Sequence, residues 1–148
     1  MQMHFDPMTD MRFNHLGVAV AEIAPALAFY GRAFGFVPLT DVYHDPIQEV
    51  RVVFIGTPQD FSARNAEGFV LELIEPGGAD SHLNRLLKTG GNAYHVCYAV
   101  ADLEAAMKHL VACGCLKVRG PEPAAAYRGK PIGWCYAPSR HLIELVQL

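Results

Sequence analysis

This sequence of 148 residues lacks a large excess of charge of either sign. It has 12 Lys and Arg against 15 Asp and Glu, which gives a net charge of −3. Because no basic stripe interleaved with aromatic residues occurs, nucleic acid is not an expected partner. An apolar run of about 18 residues, enough for a membrane-spanning helix, is also missing. The first residues carry Asp6 and Asp10 where a secretory signal would have a basic start and then an apolar stretch. We therefore predict a cytoplasmic protein that enters no membrane.

Cysteine is scarce, and its spacing suits neither a zinc site nor a redox motif. Among the four cysteines, Cys113 and Cys115 are separated by a single residue, whereas zinc and thioredoxin-type motifs place two residues between theirs. Cys97 and Cys135 stand in apolar stretches. We predict buried free thiols rather than a disulfide framework.

A repeat is what the sequence does contain. The stretch NHLGVAVAEIAPALAFYGRAFGF begins at residue 14, and YHVCYAVADLEAAMKHLVACGCL begins at residue 94. Each reads as a strand with alternating apolar residues, then an acidic residue, then a helix with apolar residues at intervals of three and four, closed by glycine. We expect apolar stripes that end with Phe34 in the first helix and Val111 in the second. The chain is thus predicted to hold two copies of one βα unit.

Patterns typical of β-strands follow each helix, bounded by Gly, Pro, Asp or Asn. They cover residues 50–56 and 68–76 in the first half, and residues 116–120, 131–138 and 141–148 in the second. This predicts an α+β fold of two βαβββ modules in one domain, with module one at about 13–76 and module two at 94–148. The linker, 77–93, has the apolar spacing of one short helix between two Gly-Gly pairs.

Each opening strand has a histidine in its middle. Strand alternation puts His15 on the same face as Gly17, and His95 on the same face as Cys97, while larger apolar residues occupy the face that would pack on the helix. A small neighbour leaves room beside each imidazole. The histidines are therefore predicted to face away from the helices.

Two lone carboxylates occupy the closing strands, Glu72 in FVLELIEP and Glu144 in HLIELVQL. A buried carboxylate costs several kcal/mol unless it is paired or bound to a metal. Two imidazoles and two carboxylates suit one divalent ion such as Zn, Ni, Co, Fe or Mn, and an octahedral ion would keep two positions for substrate or water. We predict that His15, Glu72, His95 and Glu144 bind one such ion, the alternative being inherited symmetry without a metal.

At this level of detail the chain resembles the vicinal oxygen chelate superfamily, which includes glyoxalase I, methylmalonyl-CoA epimerase, extradiol dioxygenases, and fosfomycin and bleomycin resistance proteins. The resemblance extends from Phe13 to Leu148 and is strongest to the epimerases, in FNHLGVAVAEIAPALAFYGRAFGF, LELIEP, GGNAYHVCYAVADLEAAM and LIELVQ. It implies paired βαβββ modules that form a cup-shaped mixed sheet around a metal, and it implies a homodimer. The family's ligands fall on the same two histidines and two glutamates.

Epimerases and glyoxalase I both remove a proton from a carbon next to a carbonyl, with a metal as Lewis acid and a carboxylate as base. We hypothesise that Glu144 is the base and that Glu72 is the second acid/base, acting on an acyl thioester. One alternative, favoured by Glu72, is a glyoxalase I type lactoylglutathione lyase with a glutathione hemithioacetal substrate. Another is a metal-free drug-binding protein of the bleomycin-resistance kind, which the intact set of four ligands disfavours.

The loops at residues 43–50 and 124–134 are the candidates for substrate recognition. Arg51, Arg128 and Lys130 could hold a carboxylate or phosphate of the substrate, the alternative being ordinary surface charge. The sequence departs from the epimerase pattern at APSRHLIEL, which lacks the Lys-Ser and glycine-rich stretch that usually precedes their last strand. Trp134, the only tryptophan in the sequence, is predicted to be part of the core or of the wall of the cup.

Overall fold

The computed structural model describes residues 5–57 and 70–148, and the chain forms two compact units. The N-terminal unit is His15–Tyr94, and the C-terminal unit is His95–Leu148 together with Met1–Asn14. A single domain that includes both units stays a prediction. Among the described residues, no helix is long and apolar enough to cross a membrane.

Helices and strands follow one another along the described residues. They are α1 (Pro7–Asp10), β1 (Met11–Ala19), α2 (Ile23–Phe34), β2 (Val37–Pro38), β3 (Tyr43–Asp45), β4 (Val50–Gly56), β5 (Leu71–Pro76), α3 (Leu83–Lys88), β6 (Ala93–Val100), α4 (Leu103–Ala112), β7 (Leu116–Pro123), a short 3₁₀ turn (Ala125–Tyr127), β8 (Pro131–Tyr136) and β9 (Leu142–Gln147).

Strands of the N-terminal unit follow the order β2-β4-β5-β1, and β3 also pairs with β4. β1 is parallel to β5, whereas β2, β3 and β5 are antiparallel to β4. The short strands β2 and β3 are absent from the sequence-based prediction, because two or three residues give too little alternation to detect. Gly68 and Phe69, placed in the closing strand by the sequence pattern, lie outside the described residues.

The C-terminal unit repeats this arrangement with the order β6-β9-β8-β7, in which β6 is parallel to β9 and the other pairs are antiparallel. In both units, the opening strand therefore lies beside the closing strand. The predicted α+β class and the repeated βαβββ module are confirmed. The short helix predicted between the modules is α3.

Each unit packs its long helix on one face of its strands. In the N-terminal unit, Ile23 and Leu27 of α2 pack with Val53, Leu71 and Leu73. In the C-terminal unit, a core of the same kind joins α4 to β6, β8 and β9, with these buried members: Val100, Leu103, Ala106, Met107, Cys135, Leu145. Because the apolar side chains are buried on this face, the polar residues of the strands lie on the other face.

The last members of the two predicted helix stripes are not buried. Phe34 is 59% exposed and Val111 is 48% exposed. Phe34 instead packs against the rings of Tyr30 and Phe36, at centroid distances of 5.9 and 5.7 Å. Helical periodicity assigns a residue to a face of the helix, but it does not say how far along the helix the strands extend.

Both long helices begin at a side chain from the closing strand of their unit. Oε2 of Glu75, in β5, accepts a hydrogen bond of 2.6 Å from the backbone N–H of Ile23 at the start of α2. Oε1 of Gln147, in β9, accepts one of 2.9 Å from the backbone N–H of Leu103 at the start of α4. The first N–H groups of a helix have no partner within the helix, so each acceptor satisfies one of them. At its other end, α2 stops at Gly35, whose φ of 69° favours glycine.

Candidate active site

The N-terminal unit buries one histidine and one glutamate side by side. His15 in β1 is fully buried, Glu72 in β5 is 5% exposed, and Nε2 of His15 lies 3.6 Å from Oε1 of Glu72. The parallel register that pairs Gly17 with Glu72 brings these side chains to the same face. Leu16 and Val18, on the opposite face of β1, pack with the helix as predicted.

The C-terminal unit contains the same pair. His95 in β6 and Glu144 in β9 are both buried, and Nε2 of His95 lies 3.6 Å from Oε1 of Glu144. Cys97 is the register partner of Glu144, just as Gly17 is the partner of Glu72. The sequence prediction that each lone carboxylate meets a partner is thus satisfied within each unit by the histidine of that unit.

An aromatic ring lies beside the histidine of each pair. Trp134 is predicted from the sequence as part of the core or of the wall of the cup, whereas Phe54 is absent from that prediction. The ring of Phe54, in β4, lies 5.0 Å from that of His15 at an interplanar angle of 76°. The indole of Trp134, in β8, lies 4.9 Å from the ring of His95 at 90°. The signal was available in the sequence, because aligning VVFIG with IGWCY places the two aromatic residues in the neighbouring strand of each half.

The donor atoms fit a divalent metal ion. A separation of 3.6 Å between imidazole nitrogen and carboxylate oxygen is longer than an ordinary hydrogen bond of about 2.7–3.2 Å. Two ligands each about 2.0–2.2 Å from one ion would lie roughly 3.3–3.6 Å apart in a tetrahedral site and roughly 2.8–3.1 Å apart as neighbours in an octahedral one, so either pair would need to contract by less than about 1 Å. Nitrogen and carboxylate oxygen together suit the first-row transition metals and zinc.

Of the three cations proposed for substrate binding, Arg51 has a partner within its own unit. Its Nε donates to Oε1 of Glu75 at 2.5 Å, and its Nη2 donates to the carbonyl oxygen of Pro76 at 3.4 Å. Arg128 and Lys130 are exposed and lie just after the 3₁₀ turn. Arg51 therefore helps to hold Glu75, the residue that caps α2, whereas Arg128 and Lys130 are accessible to a ligand.

The loop that carries Arg128 and Lys130 is closed by its own backbone. The N–H of Ala124 donates to the carbonyl oxygen of Lys130 at 3.2 Å, and the N–H of Lys130 donates to that of Tyr127 at 3.1 Å. The hydroxyl of Tyr127 donates to Oδ1 of Asn14 at 3.0 Å. Asn14 belongs to the same unit as the loop, so this bond fixes the loop within the C-terminal unit.

The other loop predicted to recognise substrate, residues 43–50, forms β3 and a tight turn. Oδ1 of the buried Asp45 accepts hydrogen bonds of 3.0 Å from the N–H groups of Ile47 and Gln48. A cleft of about 220 Å³ opens beside this turn, and its lining includes the side chains of His44, Glu49 and Asp80. Two of these residues, Glu49 and Asp80, are acidic, so the lining does not favour an anionic ligand.

The cysteines agree with the prediction only in part. Cys97 and Cys135 are buried as predicted, but Cys113 is exposed and Cys115 is half-buried, because both follow the last turn of α4. Burial, reinforced by the neighbouring Cys115 thiol, raises the pKa of Cys135, although Lys117 opposes the shift. Burial and then the Cys113 thiol raise the pKa of Cys115.

The chain matches a known protein family over most of its length. A family model described as the Glyoxalase/Bleomycin resistance protein/Dioxygenase superfamily matches residues 14–133, well over half of the chain. The matched stretch contains His15, Glu72 and His95, and Glu144 follows it.

Curated relatives of the chain are epimerases. It is 28% identical over 141 residues to the ethylmalonyl-CoA/methylmalonyl-CoA epimerase of Cereibacter sphaeroides, a match that covers 93% of this chain and 98% of that one. It is also 28% identical over 141 residues to the mitochondrial methylmalonyl-CoA epimerase of Dictyostelium discoideum, covering 90% of this chain and 76% of that one.

Among solved structures, a Streptomyces coelicolor methylmalonyl-CoA epimerase variant in complex with 2-nitronate-propionyl-CoA matches with a TM-score of 0.73. The two chains are 24% identical, and the match covers 93% of this chain and 97% of that one. This likeness confirms the predicted fold.

Proposed function

The chain belongs to the glyoxalase, bleomycin resistance protein and dioxygenase superfamily, and from this premise we propose that it is a metal-dependent epimerase of the methylmalonyl-CoA epimerase kind. The observation that carries the proposal is the buried His–Glu pair that occurs twice, with the same 3.6 Å separation and the same strand register. Relatives named as epimerases, similar over nearly the whole chain, support the substrate class.

We propose that His15, Glu72, His95 and Glu144 are the ligands of one divalent ion, of Ni, Co, Zn, Mn or Fe. Neutral imidazoles contribute no charge, so the two carboxylates offset the two positive charges of the ion. When bound, the ion supplies Lewis-acid stabilisation of the negative charge that develops on a substrate carbonyl. Burial of all four side chains excludes water from the carboxylates and strengthens their interaction with a cation.

The carboxylates of Glu144 and Glu72 carry out the proton transfer. A Glu144 oxygen accepts the proton from the carbon between the thioester carbonyl and the substrate's carboxylate. Glu72, which at this step would be protonated and released from the ion, delivers its proton to the same carbon from the opposite face, and in the reverse direction the two glutamates exchange these roles. Two such groups, one for each face of the planar anion, give inversion of configuration without any turning of the intermediate, and a duplicated module supplies a pair of them in equivalent positions.

For substrate binding we propose that Arg51, Arg128 and Lys130 contact the carboxylate or the phosphates of an acyl-CoA. Arg128 and Lys130 are accessible, and cations recognise phosphate by charge-assisted hydrogen bonds. We further propose that the protein works in the cytoplasm as a homodimer.

Metal content is the first test. Plasma mass spectrometry of untagged protein should find about one divalent ion per chain, and a His95→Ala variant should lose it. His141→Ala is the matched control, because His141 is an exposed histidine of the same unit and its loss should leave the metal in place. Protein that neither carries metal nor takes up added Ni, Co, Zn or Mn would contradict the proposal and favour a metal-free binding protein.

Deuterium exchange then tests the reaction. In heavy water, wild-type protein should exchange the α-proton of methylmalonyl-CoA, and a metal-loaded Glu144→Ala variant should be slower by roughly 10²–10⁴-fold, the usual contribution of a general base. Full exchange by that variant would contradict the role of Glu144. Turnover of a glutathione hemithioacetal without exchange on the CoA ester would instead identify a glyoxalase I type lyase.

A further inference from the structure

Each predicted histidine ligand packs edge-to-face or nearly so against one aromatic ring of its own unit. His15 meets Phe54 and His95 meets Trp134, at centroid distances of 5.0 and 4.9 Å. The aromatic rings are themselves buried, with 1% exposure for Phe54 and 7% for Trp134. The same contact has therefore been retained in both copies of the module, with a different aromatic residue in each.

Strand register shows why the contact recurs. In the N-terminal unit, Gly17 and Phe54 are the two strand neighbours of Glu72. In the C-terminal unit, Cys97 and Trp134 are the two strand neighbours of Glu144, so Cys97 corresponds to Gly17 and Trp134 to Phe54. Each carboxylate thus has a small residue on one neighbouring strand and a large ring on the other. The histidine precedes the small residue by two positions and therefore lies on the same face of its strand.

Filling the helix-packed core is not the function of these rings. In β4 the neighbours of Phe54, Val53 and Ile55, pack with α2, and in β8 the neighbour of Trp134, Cys135, packs with α4. Because successive strand residues point to opposite faces, Phe54 and Trp134 lie on the face of the carboxylates. Their rings are therefore part of the surroundings of the candidate ligands.

Metal affinity depends on how well the ligands are oriented before the ion arrives. An imidazole can rotate about two side-chain bonds, and only one orientation directs Nε2 toward the ion. A ring packed against the imidazole in a dense interior restricts that rotation. We propose that Phe54 and Trp134 are positioning residues that fix the imidazoles of His15 and His95 and thereby set the affinity for the divalent ion. This inference rests on the proposed function, since it presupposes the metal.

Cobalt titration tests the proposal, with the visible absorption of bound Co²⁺ as a readout of ligand geometry that is independent of activity. Trp134→Leu should bind Co²⁺ roughly 10–100-fold more weakly, the usual effect of removing a group that orients a ligand, and with an altered spectrum. Trp134→Phe keeps a ring against His95 and should restore both affinity and spectrum. Cys135→Ala is the matched control, because it removes a buried side chain of the same strand from the helix-facing side and should leave Co²⁺ affinity unchanged.

Outcomes of the titration separate the two proposals. Wild-type protein that fails to bind Co²⁺ would overturn the metal site and this inference with it. Wild-type binding with equal affinity and spectrum in Trp134→Leu, or equal losses in Trp134→Leu and Trp134→Phe, would overturn the positioning role alone. Should Trp134→Leu fail to fold, Phe54→Leu decides the question in the N-terminal unit. That variant keeps Trp134 in the C-terminal unit, and quenching of its fluorescence by Co²⁺ gives a second measure of affinity.

Discussion

Glu75 is the side chain whose removal should be most informative about the stability of the N-terminal unit. Its carboxylate accepts a 2.6 Å hydrogen bond from the N–H of the buried Ile23 and a 2.5 Å bond from Arg51. A hydrogen bond to a charged group contributes about 1.5–3 kcal/mol. The ion pair adds less than about 1 kcal/mol, because the Arg51 side chain is 45% exposed. We therefore expect Glu75→Ala to lower the free energy of unfolding by about 2–3 kcal/mol.

The C-terminal unit provides the matched comparison. Gln147 caps α4 at the equivalent place without a charge, so Gln147→Ala should cost only about 1 kcal/mol, as for a neutral hydrogen bond. Glu75→Gln should fall between these values, because the amide oxygen can still accept from Ile23. Thermal unfolding, monitored by circular dichroism, would show these losses of stability as decreases in Tm of about 2–4 °C for each kcal/mol. An unchanged Tm in Glu75→Ala, or an equal decrease in Gln147→Ala, would refute the reasoning.

Other measurements address the thiols and the substrate loop. In folded protein at pH 8, iodoacetamide should modify the exposed Cys113 well before Cys135, whose burial-raised pKa keeps its thiolate scarce until the pH rises further; mass spectrometry reporting equal rates would contradict this. Tyr127→Phe removes the 3.0 Å bond to Asn14 and should raise KM for an acyl-CoA while lowering stability by only about 1 kcal/mol. An unchanged KM in that variant would argue against a role of the loop in binding substrate.

Local pattern determined most of the fold. Alternation with a period of two located β4 at its observed bounds and the other long strands to within two or three residues, and helical spacing located α2 and α4. Strand alternation also assigned His15 and His95 to the face opposite the helices. These features depend on neighbouring residues in the chain, so a sequence contains them directly.

Tertiary structure decided which side chains from distant strands meet. Phe54 looks like an ordinary apolar strand residue in the sequence, and Trp134 suits the core or the wall of the cup. Only the register of β4 with β5 and of β8 with β9 places both beside the carboxylates. Arg51 reads as a free surface cation until the same pairing puts Glu75 directly opposite it. Strand register is set by the packing of a whole sheet against its helix. A linear pattern can therefore identify the residues of the site, whereas their partners follow from the folded chain.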